Sequence, residues 1–242
     1  MKPGAAGIIA LDGPAASGKT TIGRMLAARL GYLFFDTGVM YRTVALAAYQ
    51  SGVDPTDEAA VSELAEKIAI DVLPPADGDG RTSTVLLDEE DVSWVIREPV
   101  VDATVSQVSA YRRVRAAMVA QQRKIGLRGK VVMVGRDIGT VVLPEADLKI
   151  YLDASLAERS RRRFAELQSR GGKQTLQEVQ SGLARRDEVD SGRDLSPLHP
   201  AEDAVMIDTT ALTPEAILME IGGCLDNRHM QTGQESTHSK DG

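Results

Sequence analysis

Residues 12–21 read DGPAASGKTT, and from Gly13 to Thr20 the spacing is G-x-x-x-x-G-K-T. Glycines at such positions let the backbone curl around a phosphate group, so that backbone N–H groups, a lysine ammonium and a metal-binding hydroxyl surround its oxygens. The apolar run GIIALD (7–12) precedes this loop and a helical pattern follows it, as expected for a buried strand that leads into a helix. This stretch predicts a nucleotide-binding α/β fold.

Apolar runs and helical patterns alternate along the rest of the chain, which predicts a five-stranded parallel sheet flanked by helices. The predicted strands lie at 7–12, 32–36, 130–134, 148–153 and 204–208. The predicted helices begin near 20, 39, 57, 101, 155, 175 and 213. A ligand is expected at the carboxyl ends of the strands, where Asp12, Asp36, Gly135 and Asp153 fall.

Three segments depart from the simple alternation. Residues 70–88 have β-rich ends around a Pro/Gly/Asp turn, which predicts an antiparallel hairpin in an inserted subdomain. Residues 101–125 read as one long helix, and 227–242 lack an apolar pattern and are expected to form a disordered tail.

The overall composition excludes several classes of protein. A net charge of −7 argues against a duplex-binding surface or an acidic membrane as partner, and 4% aromatic residues offer little stacking surface for single-stranded nucleic acid. Cys224 is the single cysteine, so no disulfide framework is expected within one chain. No leader or membrane-spanning run is visible, and we expect a cytoplasmic monomer.

The polar residues favour phosphate chemistry. The chain has 20 Arg against 8 Lys, and 14 of these Arg lie between positions 112 and 193. Arginine grips phosphate with two parallel hydrogen bonds, and phosphoryl transfer depends on positioning and positive charge rather than on histidine. The single Asn, at 227, leaves no N-K-x-D motif of the kind that reads guanine in GTPases.

Three further clusters are candidates for binding the phosphoryl acceptor: DTGVMYR (36–42), VGRDIGT (134–140) and the group Arg185, Arg186, Asp190 and Arg193. The first two follow core strands and place Thr37, Arg42, Arg136 and Asp137 near the cleft. A structural ion pair remains an alternative reading for Arg136–Asp137, and a solvated helix face for the third cluster.

In order and spacing, these motifs resemble those of bacterial cytidylate kinases. The resemblance rests on GPAASGKTT, DTGVMYR, EDVSWVIREPVVDATVSQVSAYRRVR, GRDIGT and RRDEVDSGRDLSPL, and it runs from about Ile8 to Leu225. It implies a P-loop NTPase fold and transfer of a phosphoryl group from ATP to CMP or dCMP in the presence of Mg²⁺. It also implies a single domain over 1–226, with a core at 7–56, 101–154 and 195–226, a monophosphate-binding insert at about 57–100 and a helical lid at about 155–194.

The resemblance also implies roles for individual residues. The loop that holds the ATP phosphates would consist of Gly13, Pro14, Ala15, Ala16, Ser17, Gly18, Lys19, Thr20 and Thr21, with Thr20 as the Mg²⁺ ligand. The acceptor would be held by Thr37, Arg42 and Arg136 at its phosphate, by Ser106, Arg115 and Asp137 at its base, and by Arg186, Asp190 and Arg193 at its ribose and at the junction with ATP. The residues expected to act on the transferring group are Lys19, Arg136, Arg162 and Arg193, with Arg159 and Arg163 on the same lid helix as Arg162.

Two positions depart from the family pattern. Val134 stands where many relatives have an acidic residue before Gly-Arg-Asp, and Asp12 is a candidate to compensate; Glu89 stands where Gly is common. Two alternatives therefore stay open: the same chemistry on UMP or AMP, and a nucleotide-binding regulatory protein without transfer activity.

Overall fold

The structure, a computed structural model, describes residues 7–76, 79–169, 171–192 and 197–235, with side chains described as far as 226. The strands are β1 (Ile8–Asp12), β2 (Leu33–Asp36), β3 (Ile70–Leu73), β4 (Thr84–Leu87), β5 (Glu90–Asp91), β6 (Val131–Val134), β7 (Leu148–Asp153) and β8 (Val205–Asp208). The helices are α1 (Lys19–Leu30), α2 (Gly38–Gln50), α3 (Glu58–Lys67), α4 (Pro99–Val108), α5 (Arg112–Gly126), α6 (Leu156–Ser169), α7 (Leu176–Ser191) and α8 (Pro214–Glu235).

The main sheet has the strand order β2-β6-β1-β7-β8, and all of its pairs are parallel. This confirms the predicted five-stranded α/β architecture. The strand order reverses at β1, since the chain moves to β2 and β6 on one side and to β7 and β8 on the other. A crevice at such a switch point, beyond the carboxyl ends of the strands, is where α/β sheets bind ligands.

The sheet is buried on both faces, because side chains along each strand alternate between two hydrophobic clusters. Ala10 and Met133 lie in the cluster that packs against α2, α4 and α5. Ile9, Leu11 and Val132 lie in the cluster on the α1 and α8 side. The central strands β1 and β6 are covered on both faces and therefore read as continuous apolar runs, whereas the edge strand β8 leaves Met206 exposed.

The inserted subdomain contains a three-stranded antiparallel sheet of order β3-β4-β5. This confirms the predicted small antiparallel sheet, although its turn, from 74 to 83, is wider than a simple hairpin turn. A short 3₁₀ helix, Val95–Arg97, leads from this sheet into α4. The boundaries of core, insert and lid stay a prediction.

The predicted long helix over 101–125 is wrong, because the chain forms two helices, α4 and α5, around 109–111. Ser109 Oγ donates to the carbonyl of Ser106 (3.0 Å), a local bond that competes with helix continuation. Tyr111 then takes an extended conformation at the start of α5, and its hydroxyl donates to the distant carbonyl of Pro55 (2.8 Å). This long-range contact leaves no periodic signal in the sequence.

The last helix is also longer than expected. α8 continues to Glu235, past the start of the predicted tail at 227, while 236–242 lie outside the described residues, and the disordered tail stays a prediction. Once a helix is formed, each added residue gains a backbone hydrogen bond without a new nucleation cost, so an apolar stripe is not needed. Among the described helices, α8 included, none is long and apolar enough to cross a membrane.

The packing of α1 on the sheet yields a stability prediction. Leu26 on α1 is 1% exposed, whereas Met219 on α8 is 69% exposed. Leu26→Ala should lower the free energy of unfolding by about 2–5 kcal/mol, since it leaves a cavity between helix and sheet. Met219→Ala should stay within about 0.5 kcal/mol of the parent protein. Urea denaturation followed by circular dichroism measures both, and equal losses would contradict the assigned packing.

Candidate active site

The loop between β1 and α1 has the backbone conformation that its glycines allow. Gly13 has φ +143°, and a Cβ there would lie 2.0 Å from the carbonyl oxygen of Leu152 on β7. Gly18 has φ +98° and forms the N-cap of α1. No other residue type fits position 13 without moving β7, so the loop is held against the sheet at its base.

Lys19 folds back over this loop. Its Nζ donates to the carbonyl of Pro14 (2.6 Å), and the residue is 6% exposed. Burial, and then the nearby charge of Arg136, lower the pKa of Lys19 well below its ordinary value. Both effects disfavour the ammonium form, so a phosphate placed in the loop would supply the negative charge that the ammonium lacks.

Two oxygen groups lie together beside the start of α1. Thr20 Oγ1 donates to one carboxylate oxygen of Asp36 (3.1 Å), and the other oxygen accepts from Gly38 N (3.0 Å). Hydroxyl and carboxylate oxygens are the ligands that Mg²⁺ prefers, usually together with substrate phosphates. The residues therefore fit a Mg²⁺-nucleotide with few protein ligands.

Val134 does not face the acceptor residues. Its side chain is 1% exposed and packs toward α1, where a Cβ on Gly23 would lie 2.6 Å from Val134 Cγ2. Val134 thus packs against Gly23, which lies about one helical turn past Thr20 on α1, and the carboxylate beside Thr20 belongs to Asp36. Both oxygens of Asp12 accept backbone N–H groups, and its compensating role stays a prediction.

Asp12 connects the two loops of the site. Its carboxylate accepts from Ile138 N (2.9 Å) and from Gly139 N (2.7 Å), directly after the Arg136–Asp137 pair. The residue is 5% exposed, and burial raises its pKa to about 6. The end of β1 therefore holds the loop after β6 in place across the crevice.

Arg115 and Asp137, the predicted base-reading pair, form a buried ion pair at that loop. Arg115 Nη2 lies 3.1 Å from Asp137 Oδ2, and both residues are 6% exposed. The guanidinium lies over the ring of Tyr41, 5.6 Å from its centroid, and its Nε is buried with no hydrogen-bond partner within the described residues. Ser106 is exposed on α4, the helix before Arg115.

The two residues predicted to hold the acceptor phosphate from the DTGVMYR segment are engaged with protein groups. Thr37 Oγ1 donates to the carbonyl of Val134 (3.0 Å). Arg42 donates to the carbonyl of Ile96 (3.0 Å) and pairs with Asp102 (2.5 Å), so it links α2 to the insert and α4. Both residues lie near the carboxyl ends of β2 and β6.

Arg136 and Asp190 join the core to α7. Arg136 Nε donates to Asp190 Oδ2 (2.9 Å), and Asp190 is 2% exposed. Arg186 lies farther out, 3.9 Å from the same oxygen, with a side chain that is 62% exposed. Arg193 lies outside the described residues, so its predicted place at the junction of the substrates stays a prediction.

The arginines of α6 divide into two groups. Arg162 donates to the hydroxyl (3.0 Å) and carbonyl (2.6 Å) of Thr209, and its Nη1 is 3.9 Å from the position of a Cβ on Gly18. Arg159 is buried and donates to the carbonyl of Ala15 (3.3 Å) and to Asp187 (2.7 Å). Arg163 pairs instead with Glu166 on the same helix. Arg159 and Arg162 thus adjoin the phosphate loop, whereas Arg163 does not.

Three residues of this network were not singled out from the sequence: Tyr41, Asp187 and Thr209. Thr209 Oγ1 also donates to the carbonyl of Ser17 (3.0 Å), so it braces the loop from the end of β8. A polar residue directly after a buried parallel strand was the available signal for Thr209. Tyr41 lies within the quoted DTGVMYR segment, and Asp187 lies within the quoted RRDEVDSGRDLSPL segment.

The buried Asp12 carboxyl predicts an unusual pH dependence of stability. Its pKa is raised from 3.8 to about 6, so the folded protein holds the proton more tightly than the unfolded chain. The stability gained from that proton is complete below pH 3.8 and is lost as the pH rises through about 6. The free energy of unfolding of the parent protein should therefore fall, relative to that of Asp12→Asn, by up to about 3 kcal/mol across this window.

Denaturation at a series of pH values measures this difference. Asp12→Ala also removes the titrating group, so it should show the same pH slope as Asp12→Asn despite a different absolute stability. A difference between parent and Asp12→Asn that does not change with pH would contradict a raised pKa at Asp12.

Comparison with known proteins agrees with the motifs. A family model described as cytidylate kinase matches residues 9–225. The chain is 56% identical over 206 residues to the cytidylate kinase of Chloroflexus aggregans, covering 85% of this chain and 88% of that protein. It is 51% identical over 212 residues to the cytidylate kinase of Roseiflexus castenholzii, covering 87% of this chain and 90% of that protein. It is 48% identical over 217 residues to the cytidylate kinase of Herpetosiphon aurantiacus, covering 90% of this chain and 93% of that protein. The resemblance noted in the sequence is confirmed, and the chain belongs to the cytidylate kinase family.

Proposed function

We propose that the protein transfers the γ-phosphoryl group of Mg²⁺-ATP to the phosphate of CMP or dCMP, giving ADP and CDP or dCDP. The observation that carries this proposal is the buried Arg115–Asp137 pair at the carboxyl edge of the sheet, beside the phosphate loop. The pair holds one hydrogen-bond donor, Arg115, and one acceptor, Asp137, in fixed positions next to the phosphate loop. This arrangement suits a kinase that selects its acceptor nucleotide by its base.

The polarity of the pair matches cytosine. Cytosine presents an amine donor next to acceptors at its ring nitrogen and carbonyl, so Asp137 would accept from the amine while Arg115 donates to the acceptors. Uracil has a carbonyl where cytosine has the amine, which would face the Asp137 carboxylate without a hydrogen bond. An unpaired buried carboxylate is costly, so one such pair discriminates strongly. Ser106 is the third residue proposed to read the base.

The transfer step needs alignment and charge rather than a covalent intermediate. An oxygen of the CMP phosphate attacks the γ-phosphorus in line, the bond to the bridging oxygen breaks, and ADP leaves. Lys19 and Arg162 would neutralise the transferring group, while Thr37, Arg42 and Arg136 hold the acceptor phosphate and Thr20 binds Mg²⁺. Asp36, beside Thr20, would orient water in the Mg²⁺ shell.

The ion pairs suggest how substrate binding closes the site. Arg136 and Asp190 pair with each other across core and lid, although each is proposed to contact the acceptor. Phosphate binding by Arg136 and ribose binding by Asp190 would replace this bond with contacts to one bound nucleotide. The lid would then close over the reacting groups and exclude water, which otherwise competes as acceptor.

The direct test is ADP release from Mg²⁺-ATP with CMP, dCMP, UMP, AMP and GMP offered separately. We expect turnover with CMP and dCMP and little with the other three. Turnover with UMP or AMP instead would keep the kinase and overturn the base-reading roles. Binding of ATP without turnover on any acceptor would favour a regulatory protein that does not transfer phosphate.

Asp137→Asn tests the base-reading role. The amide replaces a charged acceptor by a neutral group that also donates, so the kcat/KM ratio of CMP over UMP should fall about 10- to 100-fold. Asp71→Asn is the matched control, because Asp71 pairs with Arg128 just before the amino end of β6, whereas Asp137 follows its carboxyl end. An unchanged ratio in Asp137→Asn would remove Asp137 from base recognition.

Lys19→Met tests the transfer role. Loss of the ammonium should reduce kcat by about 10³-fold or more, because charge on the transferring group supplies much of the rate enhancement. The exposed Lys67→Met serves as control. Thermal unfolding establishes that both variants are folded. Undiminished turnover in Lys19→Met would contradict the proposed mechanism.

A further inference from the structure

A cavity of about 480 Å³ lies between the exposed face of α1 and the insert. One wall carries Arg24 of α1, and the opposite wall carries Arg81, Trp94 and Arg97 of the insert. Its inner edge reaches Thr20 and Thr21 at the phosphate loop, and Asp36 and Arg42 beside it, whereas Arg115 and Asp137 do not line it. The cavity therefore borders the acceptor site without including the base-reading pair, and its volume suits a small organic ligand.

The arginines around the cavity differ in whether they pair with a carboxylate. Arg81 pairs with both Asp79 and Asp91, and Arg42 pairs with Asp102. Within the described ranges, Arg24 and Arg97 have no carboxylate partner, and both are exposed. Two guanidinium groups on facing walls are thus available for an anionic ligand.

Hydrogen bonds and ion pairs hold the insert wall of the cavity in place. Trp94 Nε1 donates to Asp79 (3.2 Å), and Asp79 is in turn held by Arg81. Arg81 also contacts Asp91, which accepts from Ser93 N (3.0 Å) next to the tryptophan. The indole nevertheless remains 51% exposed, and the Arg97 guanidinium lies 5.8 Å from its ring centroid.

We infer that this cavity is a binding site for a nucleotide other than the two substrates, with its base stacked on Trp94 and its phosphates held by Arg24 and Arg97. A fixed, half-exposed indole is a stacking surface for any base, and arginines beside it supply the charge that phosphates need. Because the cavity shares Arg42 with the proposed acceptor site, and Thr20 and Asp36 with the proposed Mg²⁺ site, its occupant would also alter the KM for the acceptor. The inference does not depend on which acceptor the enzyme phosphorylates.

Trp94 is the single tryptophan of the chain, so its fluorescence reports on this wall alone. Both substrate sites are first saturated with a bisubstrate analogue in which cytidine and adenosine are joined through five phosphates, and loss of turnover establishes the block. CTP is then titrated, with inorganic tripolyphosphate as a probe that lacks a base. We expect saturable quenching by CTP and weaker binding of tripolyphosphate. No quenching by CTP after the block would mean that the cavity is only part of the open substrate cleft, and would overturn the inference.

Matched variants locate the binding. Arg24→Gln should weaken CTP binding to the blocked enzyme about tenfold, because it removes a charge-assisted bond, and should leave turnover without CTP unchanged. Arg29→Gln, an exposed arginine in the last turn of the same helix, should leave CTP binding unchanged. Trp94→Phe should abolish the fluorescence change, and calorimetry should still detect weakened CTP binding. Equal affinity in the parent, Arg24→Gln and Trp94→Phe proteins would place CTP elsewhere and refute the site.

Discussion

The buried carboxylate of Asp12 is the constraint on which the geometry of the cleft depends. It ends β1, immediately before the phosphate loop, and it holds the backbone N–H groups of Ile138 and Gly139 across the crevice. The phosphate loop and the loop after β6 are thereby fixed to a single side chain. Such a carboxylate destabilises the folded protein when ionised, because burial disfavours its charge. A cost in stability at a site that positions reacting groups is typical of active sites.

The local part of the site could be predicted from the sequence, and the long-range part could not. The loop from Gly13 to Thr20 follows from glycine conformations and a strand–helix pattern, both of which are encoded by neighbouring residues. The positions of Asp36, Arg136 and Asp137 follow from the rule that parallel strands end at one edge of the sheet. By contrast, the carboxylate partner of each arginine depends on the folded arrangement of distant segments. Arg136 pairs with Asp190, 54 positions away, and Arg159 pairs with Asp187, 28 positions away. The break before α5 was missed for the same reason, because it depends on the contact between Tyr111 and Pro55.

The valine at 134 has a structural explanation that its sequence position does not suggest. Strand alternation turns this side chain toward α1, where Gly23 leaves room for it and Phe34 packs nearby. An aliphatic residue fills this space without the desolvation cost of a carboxylate. The hydroxyl of Thr20 already has a carboxylate neighbour, Asp36, from the adjacent strand β2. The change at 134 therefore alters the packing beneath the metal-binding hydroxyl while an acidic group remains beside it.

Because several arginines of the site already pair with protein groups, the affinity for a substrate depends on a difference in free energy. That difference is between the ion pairs made with the substrate phosphate and the ion pairs within the protein that they replace. Arg42, Arg136 and Arg159 each hold a carboxylate or a carbonyl in the structure, so a phosphate gains little unless it offers better geometry than the partner it replaces. A phosphate offers three oxygens to a guanidinium, and two parallel bonds are stronger than the single contact between Arg136 and Asp190. Asp190 is almost fully buried and has Arg186 near the same oxygen, and in the proposed complex the hydroxyls of a ribose would donate to it in place of Arg136. Recognition of the phosphate and recognition of the sugar would in this way be parts of one exchange, which would couple the end of β6 to α7.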